Sequence, residues 1–82
     1  MNKVYIIVYV PLIGEKYEVM IPASKKISSI TTLLTKAVNE LSGGNYSTTN
    51  AILYQKQNGK PYDLNITLKE SDIRNGSEVI LV

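Results

Sequence analysis

Seven carboxylate side chains are the main candidates for acid–base chemistry in this sequence, because it has no histidine and no cysteine. Histidine is the commonest general base and metal ligand, and cysteine supplies nucleophilic thiolates and zinc ligands. The carboxylates are scattered, with no spacing that suggests a paired acid and base; they are Glu15, Glu18, Glu40, Asp63, Glu70, Asp72 and Glu78. We therefore predict no catalytic, metal or cofactor site and expect that the protein is not an enzyme.

The basic residues form no stripe that would suit a phosphate backbone. The net charge is only +2, and the pair Lys25–Lys26 is the one local concentration of positive charge. We interpret that pair as solvated charges near a helix start, with contact to an acidic partner or a membrane surface as the alternative. Six tyrosines lack an accompanying basic groove. Asn58-Gly59-Lys60 lacks the further glycines of a phosphate loop. The sequence predicts no nucleic-acid binding.

The length and composition are those of one small globular domain over residues 1–82. Hydrophobic residues make up 44% of the chain and charged residues 20%, which is not the composition of a disordered segment. No apolar run approaches the roughly 20 residues that cross a bilayer. Val4 to Val10 resembles a short signal sequence, but Pro11 follows without a small-residue cleavage site. We expect a cytoplasmic protein, in which the two Asn-x-Ser/Thr glycosylation sequons are accidental.

The first half of the chain predicts a β-hairpin and then a helix. The run from Lys3 to Val10 is almost wholly apolar and rich in β-branched residues, and Tyr17 to Ile21 alternates. A turn that contains Gly14 joins these two strands. An apolar stripe at helical spacing follows, with Ser24 or Ser28 as the N-cap and Gly43-Gly44 as the stop. The stripe consists of Ile27, Ile30, Leu33, Leu34, Ala37, Val38 and Leu41.

The second half predicts shorter elements. Ala51 to Gln55 is a third strand, and Asn58-Gly59 favours a tight turn into a short partner strand at 60–62. Thr67 and Glu70 have the spacing of a capping box for one helical turn. Asn75-Gly76 is a further turn, which leads into a last strand at 78–82.

This order of elements predicts an α+β fold. The helix must bury its stripe, and one face of a four- to five-stranded mixed sheet is the large partner available. The first and last strands are apolar on both faces, which is typical of central strands. Side by side in parallel, with the helix across them, they form a β-grasp.

The core spacing resembles that of ubiquitin-like proteins. Leu68 and Ile73 stand five residues apart before a turn, and Val79 and Leu81 alternate after it. Upstream, Ile21 and Ile27 match the strand end and the helix start of the same family. The resemblance covers nearly the whole chain and implies the ubiquitin-like β-grasp.

Within that family the chain is most similar to the small bacterial YukD and EsaB proteins. The similarity lies in the apolar first strand, in the helix entry Pro22-Ala23-Ser24-Lys25-Lys26-Ile27, and in the turn from Ile73 to Gly76. It implies an accessory role in a type VII (WXG100-type) secretion system. Modifiers and sulfur carriers of the family end in Gly-Gly, whereas this sequence ends at Val82. A modifier truncated before that tail, or a recognition domain from a larger protein, is the alternative.

Strand alternation predicts an apolar face turned away from the helix. If Val79 and Leu81 point into the core, Ile80 and Val82 lie on the opposite face. On the third strand we predict Ile52 and Tyr54 inward and Leu53 outward. The predicted protein-binding residues are Leu53, Ile80, Val82, Ile7 and Met20, extended by Tyr5 and Tyr9.

An exposed apolar patch of this kind usually marks an interaction site. We predict protein partners, including membrane components of a secretion machine, and no direct insertion into a membrane. Coverage of the patch by loop residues or by a second copy of the chain, which would make a homodimer, is the alternative.

Overall fold

The computed structural model describes residues 3–48 and 50–82 and contains four strands and one helix. The elements are β1 (Lys3–Val10), β2 (Glu15–Pro22), α1 (Ile27–Leu41), β3 (Leu53–Gln55) and β4 (Ser77–Leu81). The sheet order is β2-β1-β4-β3, in which β1 pairs with β2 antiparallel and with β4 parallel, and β3 pairs with β4 antiparallel. The predicted α+β fold with two central parallel strands is confirmed.

The core lies between the sheet and α1. Every second residue of β1 from Ile6 to Val10 is buried, which is the period of a strand with one face covered. The predicted core positions Leu68, Ile73, Val79 and Leu81 are all at most 2% exposed. They close the core on the side of the last strand.

Helix α1 uses a narrower apolar stripe than its sequence suggests. Leu33 and Leu41 are exposed, whereas Thr31 is buried. The burial of Thr31 is tolerated because its hydroxyl donates a 2.8 Å hydrogen bond to the carbonyl oxygen of Ile27 one turn earlier. The prediction that Leu33 and Leu41 belong to the buried stripe is therefore wrong.

The ends of α1 differ in how well they were predicted. The N-cap is Lys26, with no side-chain hydrogen bond to the helix, so the prediction of Ser24 or Ser28 as the cap is wrong. At the other end, Gly43 and Gly44 have φ angles of 69° and 90°, and the Gly44 N–H donates to the carbonyl of Asn39. The predicted glycine stop is confirmed.

The chain turns back after β3, and residues 60–62 pair with β3 as predicted, but as an isolated bridge and not as a strand. A single antiparallel bridge joins Tyr54 to Pro61, and the Gln55 N–H donates to the Lys60 carbonyl. The Tyr62 N–H also donates to the Leu53 carbonyl at 3.0 Å, so two backbone bonds flank the Tyr54–Pro61 pair and the pairing with β3 is limited to this one bridge.

The predicted capping box is present although no helix follows it. The Thr67 N–H donates to Glu70 Oε1 at 2.9 Å, and the Glu70 N–H donates to Thr67 Oγ1 at 3.2 Å. These reciprocal bonds fix a turn that holds Leu68 in the core.

Candidate protein-interaction surface

The face of the sheet opposite α1, here called the outer face, carries the candidate site. Because Ile6, Val8 and Val10 point into the core, their neighbours Tyr5, Ile7 and Tyr9 lie on the other side of β1. Strand pairing then fixes which residues of the remaining strands share that face. They are Lys16, Glu18 and Met20 on β2, Glu78 and Ile80 on β4, and Tyr54 on β3.

The prediction that Leu53 lies on this surface is wrong. Leu53 is 1% exposed and pairs with Leu81, which is also buried. A shift of one residue turns a whole strand over, so Tyr54 takes the outward position instead. Ile52, predicted to point inward, is 44% exposed.

The end of the outer face near the β1–β2 turn is the more apolar end. Ile52 and Val82 exchange two backbone hydrogen bonds of 2.9 and 3.0 Å, although they lie just beyond the ends of β3 and β4. The side chain of Val82 is 56% exposed. Leu12, in the turn that follows β1, is 75% exposed. This end therefore offers several aliphatic groups to a partner.

Beside the Ile52–Val82 pair, a row of three outward side chains crosses three strands. Tyr54 pairs with Ile80, and Ile80 pairs with Tyr9. All three side chains are partly exposed. Aromatic and branched side chains that stand opposite one another across strands pack together, so this row extends the apolar surface across the sheet.

Two ion pairs cross the middle of the outer face. Glu78 lies beside Ile7, and its carboxylate binds Lys16 Nζ at 3.4 Å and Lys56 Nζ at 3.0 Å. The hydrogen bond from Lys56 and the nearby Lys16 hold the pKa of Glu78 below its ordinary value. Since Lys16 is on β2 and Glu78 is on β4, the lysine side chain reaches across β1, and its ammonium lies 5.9 Å from the ring centroid of Tyr9.

The far end of the face is formed by Met20 and Tyr5, which are paired across β1 and β2. Met20 is 59% exposed. A hydrogen bond to the Glu18 carboxylate, together with desolvation, raises the pKa of the Tyr5 hydroxyl. Met20 is thus separated from the Ile52–Val82 end by Glu18, Ile7 and the lysine bridge.

The structure therefore divides the predicted residues. Ile80 and Val82 lie together at the apolar end, Ile7 lies in the middle beside Glu78, and Met20 lies at the far end. Sequence reasoning missed Ile52, Tyr54, Leu12, Lys16 and Lys56. Only Leu12 carried a local indication, as an aliphatic residue in the predicted turn between the first two strands.

A cleft lies on the other side of the molecule, between α1 and residues 46–48 and 51. Its volume is about 420 Å³, and it is lined mainly by threonines of the helix, by Lys36 and by Asn39. The Thr31 and Thr35 hydroxyls both donate 2.8 Å bonds to helix carbonyls. The described residues that line the cleft include no carboxylate, so they supply no pair of carboxylates that could act as acid and base.

No cluster of three carboxylates within residues 3–48 and 50–82 is close enough to hold a metal ion. In the same part of the chain, α1 is too short and too polar to span a bilayer.

No family model and no curated protein matches this sequence. Solved structures do. The EccD5 ubiquitin-like domain from Mycobacterium xenopi superposes with a TM-score of 0.84 at 19% identity, over 100% of this chain and 94% of that one. The ubiquitin-like domain of the Mycobacterium tuberculosis type VII secretion system protein ECCD1 superposes with a TM-score of 0.79 at 13% identity, over 100% of this chain and 99% of that one.

This chain has the ubiquitin-like β-grasp fold. A chain of the MycP5-free ESX-5 inner membrane complex contains a similar unit, with a TM-score of 0.83 and 21% identity. That comparison includes 100% of the present chain, which spans only 21% of the length of the ESX-5 chain. In the ubiquitin-like fold described here, the outer face is the sheet surface that α1 leaves open.

Proposed function

We propose that this chain is a non-catalytic ubiquitin-like protein-interaction module of a bacterial type VII (ESX-like) secretion system. The observation that carries the proposal is the full-length similarity to the EccD5 and ECCD1 ubiquitin-like domains, at TM-scores of 0.84 and 0.79. The module acts on the cytoplasmic side of the secretion complex, where a soluble β-grasp domain can contact membrane components without entering the bilayer.

The outer face supplies the binding energy in this proposal. Ile80, Val82, Ile52 and Tyr54 form adjoining apolar rows, and a partner that covers them removes apolar surface from water at roughly 25 cal/mol per Å². The rows lie on paired strands, so little conformational freedom is lost on binding. A few such central groups dominate the energy of most protein interfaces.

The proposal includes the accessory role that the YukD and EsaB resemblance implies. In this proposal the chain is either a separate accessory protein or a domain within a larger EccD-like component, and in both cases it acts through the outer face. An accessory protein binds to a membrane complex that is complete without it. The set of proteins recovered with the chain therefore distinguishes these two arrangements.

The proposal is tested by affinity recovery from gently solubilised membranes of the source cell. The wild-type chain is compared with an Ile80→Asp/Val82→Asp double variant, and with Leu33→Asp as the control for an exposed apolar residue of the helix. We expect secretion-complex proteins with the wild type and with the control, and their loss with the double variant. Equal recovery by all three folded proteins contradicts the role of the outer face. Recovery of only the chain itself supports a homodimer and contradicts the proposal.

A further inference from the structure

The outer face carries fixed positive charge beside its apolar side chains. Lys16 and Lys56 both bind the single carboxylate of Glu78, so this cluster keeps a net charge of +1. The lysine side chains are 58% and 55% exposed, whereas that of Glu78 is 17% exposed. A molecule that approaches the face therefore meets the ammonium groups before it meets the carboxylate.

The two ammonium groups retain hydrogen-bonding capacity. Each lysine ammonium has three N–H donors, and each contacts Glu78 through one oxygen atom. The remaining donors of Lys16 and Lys56 are available to an incoming acceptor. The other carboxylate of the outer face, Glu18, pairs with Ile7 and is separated from Glu78 by β1.

The charged cluster also adjoins the apolar rows. Glu78 and Ile80 are successive outward residues of β4, and Lys16 lies over the ring of Tyr9, which pairs with Ile80. One ligand segment can therefore touch the apolar and the cationic groups together.

We propose that the outer face binds a partner-protein segment in which an aspartate or glutamate is flanked by apolar side chains. Its carboxylate lies against Lys16 and Lys56, and its apolar groups lie on Ile80 and Tyr54. The inference rests on the proposed function and adds the chemistry of the partner to it. Charge complementarity selects the acidic segment, because a lysine or arginine in the same place meets two ammonium groups.

Three short peptides, capped at both ends and identical except for one central residue, test this selectivity. The central Glu, Gln or Lys is flanked by leucine, and binding is followed through the backbone amide signals of the isotope-labelled full chain. We expect the Glu peptide to shift the signals of Glu78 and Ile80 and to bind about two- to fivefold more tightly than the Gln peptide. About 0.5 M salt should remove this difference, since exposed charges are screened.

Variants separate recognition from a merely structural role of the cluster. Glu78→Gln removes the internal competitor for both lysines, so the Glu peptide should bind more tightly, while the Gln peptide is unaffected. Lys16→Gln with Lys56→Gln should remove the preference for the Glu peptide and preserve the binding of the Gln peptide. Lys36→Gln, which removes an exposed lysine of the helix, is the control and should change neither.

The outcomes distinguish the two proposals. Binding of all three peptides to the outer face with equal affinity overturns the acidic selectivity and leaves the face as a docking surface. A Glu peptide that binds Glu78→Gln more weakly than the wild type also overturns it. Absence of any shift on the outer face contradicts both the docking surface and the inference.

Discussion

Tyr54 lies directly opposite Ile80 across the antiparallel pair of β3 and β4. Ile80 in turn lies beside Tyr9 on β1, so these two pairings place three side chains in one row across the outer face. The same register directs Leu53 and Leu81 into the core. The composition of the proposed binding surface therefore depends on a single register between two short strands.

That register makes opposite predictions for two aspartate substitutions. Leu53→Asp places a charge in the core and should leave the chain largely unfolded, because a buried unpaired carboxylate costs several kcal/mol. Ile80→Asp lies on the partly exposed outer face and should cost about 1 to 3 kcal/mol, because it loses strand propensity and the packing against Tyr54 and Tyr9 but leaves the core intact. Urea unfolding followed by circular dichroism measures both. A Leu53→Asp chain as stable as the wild type would show that the register is wrong.

Tyr46 predicts a stabilising substitution. Its side chain is 1% exposed, and its hydroxyl has no hydrogen-bond partner among the residues that the structure describes. Since an unpaired buried hydroxyl is unfavourable, Tyr46→Phe should raise the free energy of unfolding by about 1 kcal/mol. Burial and, less strongly, the adjacent Asp72 carboxylate raise the pKa of Tyr62 to about 12. Because the Tyr62 hydroxyl has this acceptor beside it, Tyr62→Phe is the control and should bring no gain in stability in the same urea titration.

Asn75 ties the turn before β4 to the central strand. The Tyr5 N–H donates to Asn75 Oδ1 at 2.9 Å, and the Gly76 N–H donates to the Tyr5 carbonyl at 2.8 Å. Asn75→Ala should cost about 1 kcal/mol because the Tyr5 N–H loses its acceptor. Asn75→Asp keeps an acceptor in place and should retain most of the stability. If thermal unfolding shows equal losses for both variants, the hydrogen bond is not the cause.

Glu70 predicts part of the acid sensitivity. The Thr67 N–H and hydroxyl donate to its carboxylate and hold its pKa below the usual value of 4.5. Because the folded-state pKa is the lower one, these bonds contribute fully above about pH 4.5 and are lost as pH falls through the folded value. Between about pH 6.5 and pH 3, Glu70→Gln should therefore lose less stability than the wild type in urea titrations.

The control for this pH dependence is Glu40→Gln. The Glu40 side chain forms no hydrogen bond or ion pair within residues 3–48 and 50–82. The stability of the Glu40→Gln variant should therefore change with pH as that of the wild type does. A Glu70→Gln profile that is indistinguishable from that of Glu40→Gln would remove the capping box from the explanation.

The fold could be predicted because local patterns agree with the global one. The continuous apolar run of β1 favours a central strand, and the spacing of Leu68, Ile73 and the β4 residues places them in one core. The buried face of the helix was harder to predict. Leu33 and Thr31 are both compatible with a wide stripe, and only the packing of α1 against the sheet decides that Thr31 is covered.

The candidate site was harder to predict because its determinants are not local. Residues 51–54 are apolar without alternation, so their sequence does not fix which of Leu53 and Tyr54 points outward. Pairing with β4 fixes it. Likewise Lys56 and Glu78 are 22 residues apart in the chain, and no sequence spacing indicates that they form an ion pair.

The most direct test of the central claim is site-specific photo-crosslinking in the source cell. A photoreactive residue is placed at Ile52 or Val82 on the outer face, or at Leu33 on the helix as the control. We predict that a type VII secretion component is crosslinked from the two outer-face positions and not from the helix position. Crosslinking of that component from Leu33 alone, or of no secretion protein from any position, would contradict the account.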